Sequence, residues 1–443
     1  MSNNENNEIR DSFTSKTGFI LACIGSAVGM GNIWLFPYRV GQFGGAAFLI
    51  PYIIFIVLLG YTGLMGEFAF GRMTQTGPIG SFKKALETRN KSWGGFLGII
   101  PVIGAFGIAV GYAVVVGWFL RFLGGFITGS AMSAADSGAY FGELASPFGS
   151  IIWHLLALIL VSIVLISGIS KGIETMNKIM MPAFYILFVI VMVRVFMLDG
   201  AFEGIKYLVV PKWSSLMEPK TWIYALGQAF FSLSLAGSGM IVYGSYLKRD
   251  VDIMSSAKNT VIFDTLGAFL AGLVIIPAVF AFNLDPASGP PLLFITIPSV
   301  FKLMPFGRLF GVIFFISVLF ASITSLMNLL EVPIEAVQST FKLKRKLSVF
   351  IVVGAAFIFG LFAEDGNNLG VLMDFVSIYI IPIGAFIAAV MFFWVIGIEK
   401  AKCEIECGTD KKLGKLFEIS AKYIFVFLTI FVFIAGILLG GIG

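Results

Sequence analysis

Two short stretches of this chain combine residue types that leave main-chain polar groups free. The first, Gly25-Ser26-Ala27-Val28-Gly29-Met30-Gly31-Asn32, places three glycines in seven residues. Each weakens a helix by about 1 kcal/mol relative to alanine. The second is Ser232-Leu233-Ser234-Leu235-Ala236-Gly237-Ser238-Gly239. A helix interrupted at such a point offers N–H groups and the positive end of a dipole to an anion, and carbonyls to a cation. A zwitterion fits both. Asn32, Ser232, Asp264, Thr324 and Ser325 add the hard oxygens that an alkali ion prefers over Cys or His. Asp264 carries the most weight, because a carboxylate six residues beyond Lys258 in an otherwise apolar run is costly to bury. Two plainer readings stand beside these: close Gly/Ser helix packing for both strings, and a water-solvated interfacial position for Asp264.

The elements that must position these residues follow from composition. Of 443 residues, 58% are hydrophobic and 12% charged, with a mean hydropathy of +0.96, whereas soluble domains carry roughly 25% charged residues. A soluble enzyme is excluded. A bilayer core of ~30 Å takes ~20 apolar residues as helix. Uncharged runs cover 17–38, 40–66, 92–120, 144–170, 221–247, 265–284, 309–330, 347–363, 375–398 and 423–443, and a further run at 179–198 is interrupted by Arg194. The expectation is an all-α polytopic membrane protein of eleven transmembrane helices. Its expected parts are a tail over 1–15, a ten-helix core over 16–398, a loop over 399–415 and an eleventh helix over 416–443. Lys and Arg in the connections divide 21 to 5, which places the N-terminus in the cytoplasm and the C-terminus outside a plasma (inner) membrane. The net charge of +5 lies between apolar runs, so the partner it implies is the lipid bilayer and not nucleic acid.

Both weak points fall at mid-span in the first and sixth runs. These correspond if two five-helix units repeat, over roughly 16–198 and 221–398. Paired interrupted helices in matching positions are the best sequence pointer to a transporter's binding site. Other chemistry is poorly supported. Cys23, Cys403 and Cys407 with the lone His154 supply neither a disulfide framework nor a rich metal site, and no nucleophile and base stand at plausible spacing. No organic cofactor is expected. The polar first fifteen residues are unlike a cleavable signal peptide.

The strings GSAVGMGNIWLFPY, GQAFFSLSLAGSG, FASITSLMNLLE and GGAAFLIPY resemble motifs of the neurotransmitter:sodium symporter family, with its LeuT-type fold of two inverted five-helix repeats and broken helices 1 and 6. The resemblance runs from about Arg10 to the last span. An eleven-span chain is similar to the shorter bacterial branch, which includes tyrosine and multi-hydrophobic amino-acid transporters. The resemblance implies two co-transported sodium ions. The first would take the Ala27 carbonyl, Asn32, Ser232, Asp264 and the substrate carboxylate. The second would take the carbonyls of Gly25, Val28 and Ala321 with the hydroxyls of Thr324 and Ser325. Substrate carboxylate would meet the Gly29, Met30 and Gly31 segment and Tyr112. Its ammonium would face carbonyls of Ala27, Phe231 and Ser234 near Ser26, and Ile108, Phe231, Ser325 and Leu329 would wall the side chain.

Departures from the family pattern sharpen the expectation. Gly237 stands where the best-known bacterial member has a Phe, which frees space for a bulky hydrophobic amino acid, tyrosine favoured; a positive φ is the other use of that glycine. Ala268 replaces the residue that is Ser in chloride-dependent members and commonly acidic in chloride-independent ones. With Asp264 already negative, chloride is not expected to be required. At the outer gate the family's Arg position is Leu35, so Arg39, on the same helical face, is the expected partner of Asp374. At the inner gate Arg10 and Phe13 resemble the family's Arg and Trp, while Ser339 replaces the usual acid. Glu67 and Glu331 look like family acids lying behind the broken helices. Gly172 and Pro182 resemble the family's signature for local unwinding of helix five. Sodium-driven symport of such an amino acid by alternating access is therefore the leading expectation. A sodium-dependent membrane sensor that binds without transport is the second.

Overall fold

The computed structural model describes residues 11–235, 238–287 and 292–442. The expectations for Arg10 and Gly237 lie outside the described residues. All regular structure that is described is helical, as a bilayer requires of an open chain, since each segment must satisfy its own backbone groups. In chain order the helices used below are α1 (Lys16–Ala27), α2 (Gly31–Gln42), α3 (Ala46–Thr74), α4 (Gly94–Thr128), α5 (Ile151–Ile166), α6 (Ile169–Phe196), α7 (Pro219–Ser232), α8 (Gly239–Ser245), α9 (Ile253–Ala281), α10 (Gly307–Phe341), α11 (Arg345–Phe362), α12 (Gly366–Glu406) and α13 (Lys415–Leu439).

Eight of these are long and apolar enough to cross a membrane, and the bent pair α1–α2 makes a ninth. The expected fourth span is a 16-residue helix and the expected sixth is divided into α7 and α8. Length and composition of the described helices therefore support eight or nine spans, where eleven were expected. At the expected boundary of 398, Gly397 turns the chain with φ 100°, and a further helix, the last part of α12, runs over Ile398–Glu406. It buries Ala401 and Ile405 and brings Glu404 against α3, so that stretch is a helix and not a loop.

The two 35-residue helices α4 and α10 pack along each other at the centre. In α4, 72% of the most apolar window is buried inside the protein, against 28% in α11 and α13. The peripheral helices turn Phe350, Phe359, Phe427 and Leu438 outward, the apolar surface a helix presents to acyl chains. The two breaks are where the glycine- and serine-rich strings lie. Val28 leaves the helix at φ −72°, ψ 103°, and α1 and α2 meet at 51°. Beyond α7, Ser234 and Ser238 both have positive φ, 52° and 53°. That left-handed conformation costs roughly 1–2 kcal/mol for each residue with a side chain, so the surrounding structure must hold it.

Arg72, on α3, is 1% exposed. Its Nε lies 2.7 Å from Glu404 Oε1, and its Nη atoms donate to the Glu404 carbonyl, to the Val251 carbonyl at 2.7 Å and to the Cys407 carbonyl at 3.2 Å. Guanidinium geometry suits this many-handed contact. Removing one member of a buried ion pair costs about 3–5 kcal/mol. Arg72→Ala is therefore expected to lower the melting temperature of purified protein sharply. Heating followed by size-exclusion chromatography checks it, and a melting curve equal to wild type would dismiss the staple.

Candidate functional site

The two breaks face each other. Because α1 ends at Ala27, its last carbonyls lack intrahelical partners. The Ser26 carbonyl accepts the Ser234 hydroxyl at 3.0 Å and the Ser325 hydroxyl at 2.8 Å, so one free carbonyl gathers the α7–α8 link and α10. Between these elements and α4 lies a cavity of about 60 Å³, several times the ~10–15 Å³ that one water needs.

Of the residues expected around a ligand, Ser26, Ala27, Gly29, Met30 and Gly31 line it from the first break. Ile108 and Tyr112 line it from α4, Phe231 and Ser234 from the second break, and Ser325 and Leu329 from α10. Ser232 does not line it; its hydroxyl turns away to Asp264 Oδ2, 2.8 Å distant. The Tyr112 hydroxyl receives the Met30 amide at 2.9 Å. A β-carbon on Gly29 would stand 2.4 Å from Tyr112 Oη and 2.5 Å from Ser325 Oγ, so this close approach of backbone to hydroxyls requires glycine. Five lining residues were not anticipated: Ala105, Gly239, Asn328, Val332 and Ile381. Ala105 is three residues before Ile108, and Asn328 three after Ser325, so helical periodicity could have found both. Ile381 comes from another helix and carries no local signal.

Behind the cavity a buried polar set joins α2, α7 and α9. Asn32 Nδ2 donates to Asp264 Oδ1 at 2.8 Å, to the Asp264 carbonyl at 3.0 Å and to Ser232 Oγ at 3.2 Å. Asn32 and Asp264 are fully buried. Two neighbours were missed from the sequence: the Tyr52 hydroxyl donates to Ser232 Oγ at 3.4 Å, and Gln228 Nε2 to the Gly31 carbonyl at 2.8 Å. Burying a carboxylate costs several kcal/mol, and the two side-chain hydrogen bonds that Asp264 receives come from neutral groups, which do not balance a negative charge. A monovalent cation is the chemical complement.

A second set lies where α1 meets α10. It brings Gly25 against Thr324: a β-carbon on Gly25 would stand 2.9 Å from Thr324 Cβ and 3.1 Å from Thr324 Oγ1. Thr324 donates its hydroxyl proton back to the Phe320 and Ala321 carbonyls at 3.0 and 2.9 Å, which turns its lone pairs outward. Among the described residues there is no group of three or more His, Cys, Asp or Glu that could hold a metal ion, so any cation here would rest on neutral oxygens, Asp264 apart.

The sodium:neurotransmitter symporter family model matches residues 10–132 and 141–439. The chain belongs to that family. It is similar to the uncharacterized sodium-dependent transporter YhdH of Bacillus subtilis, 37% identical over 91% of this chain and 92% of that protein. It is also similar to the uncharacterized sodium-dependent transporter MJ1319 of Methanocaldococcus jannaschii, 33% identical over 91% of this chain and 86% of that protein. A crystal structure of MhsT in complex with L-phenylalanine superposes with a TM-score of 0.87 at 35% identity, covering 96% of this chain and 99% of that one. The fold is LeuT-type, and the protein is a sodium-dependent, multi-pass membrane transporter of this family.

The gates of this symporter depart from expectation. Arg39 does not pair with Asp374 among the described residues. Its guanidinium lies over the Tyr224 ring, 4.4 Å from the centroid, and near Tyr38 at 5.2 Å, with Nη1 on Gln42 Oε1 at 3.0 Å. Stacking and a neighbouring amide hold the cation on its own side, and Asp374 instead borders a small cavity with Phe231 and Ser377. Glu67 lies behind the second break, beside Met240 and Ile241 at the start of α8, with its Oε2 buried and without a hydrogen-bond partner. Glu331 faces a cation instead. Both its oxygens take the Arg345 guanidinium, at 2.9 and 2.8 Å, and it accepts from Tyr246 at 2.8 Å, because an arginine outbids a lone amide for a buried carboxylate. His154 is buried with Nδ1 3.2 Å from Glu364 Oε1, a packed histidine.

On the face that carries the N-terminus, α1 is clasped to α6. Glu174 accepts from the Thr14 amide and hydroxyl at 2.7 Å and the Ser15 hydroxyl at 2.8 Å, and Lys178 adds a contact at 2.7 Å. Asp11 receives the Ile169 amide at 2.5 Å. Phe13 is buried edge-on against Phe19 and Tyr243. Gly172 and Pro182 both lie in continuous helix, Gly172 in a wide π turn over Ile169–Glu174. The segment expected to unwind is wound while this clasp is closed. Hydrogen bonds to a charged group contribute about 1.5–3 kcal/mol each. Glu174→Ala is therefore expected to speed labelling of the buried Cys23 on α1 by about tenfold or more, with Cys403 and Cys407 changed to serine. A thiol-reagent time course checks it; an unchanged rate would mean that the clasp does not restrain α1.

Proposed function

We propose that this transporter carries a bulky hydrophobic or aromatic L-amino acid, tyrosine favoured, into the cell together with sodium. The observation that carries the reading is the cavity between the two helix breaks. The Met30 amide and the Tyr112 hydroxyl would meet a carboxylate, and Ser26, Ala27 and Ser234 line the cavity where carbonyls would face an ammonium. Ile108, Leu329, Val332 and Ile381 make the rest apolar. The related MhsT was crystallised with L-phenylalanine, which agrees with such a side chain.

Two sodium ions would accompany it. The first would rest on Asp264, Ser232, the Ala27 carbonyl and Asn32, whose amide would turn over to offer its oxygen. The second would rest on the Gly25, Val28 and Ala321 carbonyls with Thr324 and Ser325. Each ion moving inward gains about 2.3 kcal/mol per 100 mV of membrane potential, in addition to its own gradient. Because Asp264 supplies the negative charge at the first site and Ala268 offers no ligand, chloride is not needed. Alternating access would release the clasp around Glu174, open α1 away from α6 on the cytoplasmic face and expose the cavity there. The two repeats at 16–198 and 221–398 would move about it, with the N-terminus inside and the C-terminus outside.

Purified protein in liposomes, loaded with potassium and given labelled tyrosine, phenylalanine, tryptophan, leucine and glycine, tests this. Uptake of the large side chains should require external sodium and persist with gluconate in place of chloride. Binding without accumulation would favour the sensor reading. Collapse in gluconate would reject chloride independence.

A further inference from the structure

We infer that the side-chain oxygen of Asn177, on α6, is a further ligand of the second sodium ion, so that the ion ties α6 to α1 and α10. The inference rests on the proposed second sodium site.

Asn177 is fully buried. Its Nδ2 donates to the Ile173 carbonyl at 2.8 Å. Only the amide NH₂ can serve a carbonyl, so this bond fixes which way the group points and sends Oδ1 to the opposite side. There Oδ1 finds no hydrogen-bond donor. A buried acceptor left so costs about 1–3 kcal/mol, and such a group calls for an explanation.

The surroundings of Oδ1 supply one. The point where a β-carbon on Gly25 would stand is 2.0 Å from Asn177 Oδ1 and 3.1 Å from Thr324 Oγ1. Amide oxygen and hydroxyl therefore converge on the same patch of α1 backbone. The Thr324 proton is already committed to the carbonyls of its own helix, and α1 ends two residues beyond Gly25, at Ala27, within the last turn whose carbonyls a helix leaves short of partners. Two acceptor oxygens thus border the same backbone position with no proton between them to share, so hydrogen bonding alone leaves Asn177 Oδ1 unsatisfied. A hard cation can satisfy it, with metal–oxygen distances of about 2.3–2.6 Å for an ion of calcium's size, to which sodium is close. The set is made of neutral oxygens, which suits one positive charge better than two.

Placement on α6 gives the contact a mechanical meaning. Asn177 is anchored to Ile173, inside the π turn that also holds Gly172. An ion bound to Asn177 would favour the wound form of this segment, and its departure would remove that restraint.

The test is equilibrium binding of ²²Na⁺ to purified full-length protein in potassium buffer without amino acid, whose carboxylate the first site shares. Asn177→Ala should raise the sodium concentration for half-saturation by about tenfold, at the low end of the 10–100-fold that supporting groups contribute to metal sites. Its melting temperature in potassium should be no lower than wild type, since the orphan acceptor is gone. Asn177→Asp keeps the oxygen and adds charge, and should bind sodium at least as tightly as wild type. If Thr324→Val weakens binding while Asn177→Ala does not, Asn177 is no ligand and the inference fails with the second site intact. If neither variant changes binding, the second site itself is misplaced. Should Asn177→Ala fail to fold, Asn177→Asp decides: weakened sodium binding despite a correct fold would overturn the inference.

Discussion

Asp264→Ala is expected to abolish sodium-driven uptake at physiological sodium. The carboxylate is fully buried and is the charged member of the set formed with Asn32 and Ser232. Truncating one partner of a buried, hydrogen-bonded charge contact costs about 2–5 kcal/mol or more, and each 1.4 kcal/mol is a factor of ten in affinity. Sodium dependence should therefore move up by at least about thirtyfold. Folding should suffer less, because the variant also removes a charge that is costly to bury without a counter-ion. Asp264→Asn keeps an oxygen and loses the charge, so its sodium requirement should fall between wild type and alanine. Uptake against sodium concentration, with melting temperature as the control, checks both. Near-normal sodium dependence in Asp264→Ala would remove Asp264 from the ion pathway.

The second large effect is expected at Gly29. An added β-carbon would lie 2.4 Å from Tyr112 Oη and 2.5 Å from Ser325 Oγ, well inside contact distance. Both hydroxyls would have to move. Tyr112 holds the Met30 amide and Ser325 holds the Ser26 carbonyl, so the shift would disturb the carboxylate end of the cavity and the wall beside it together. Overpacking of this kind typically costs about 1–3 kcal/mol, which a protein of this size can absorb while a binding site cannot. Gly29→Ala should fold and should bind labelled L-phenylalanine or L-tyrosine about five- to a hundredfold more weakly. Adding Tyr112→Phe should relieve only part of the crowding, since Ser325 Oγ still stands 2.5 Å from the added carbon, and should not recover binding, because the hydroxyl is then missing. A Gly29→Ala protein that binds as wild type would show that the amino acid sits elsewhere.

Much of this site was legible in the sequence because its cause is local. Glycines at 25, 29 and 31 weaken one helix, and serines and glycines from 232 to 239 weaken another; both effects act within a turn or two of chain. The structure breaks both helices at those strings and turns them toward each other. Asp264 stood out by the same logic, as a lone charge in an apolar run. Ser325 and Leu329, one turn apart on α10, were placed at the site by the family resemblance. The helical, membrane-spanning character followed from composition, because too few charges remain to solvate a soluble fold of this length.

What composition and spacing left undecided were the choices made between helices. Arg39 had several rings and one distant carboxylate within reach of a long side chain, and only packing decided for Tyr224 and Gln42. Glu331 and Glu67 looked alike in sequence, yet one meets the Arg345 guanidinium and the other keeps an oxygen buried without a hydrogen-bond partner. Ile381 reaches the cavity from a different helix, α12, and Asn177 reaches Gly25 across more than a hundred residues of chain. Local free energies of about 1 kcal/mol per residue mark where a helix fails, and these the sequence by itself determined. Which oxygen faces which partner depends on ångström-scale distances between segments remote in sequence, and those were decided only when the helices packed.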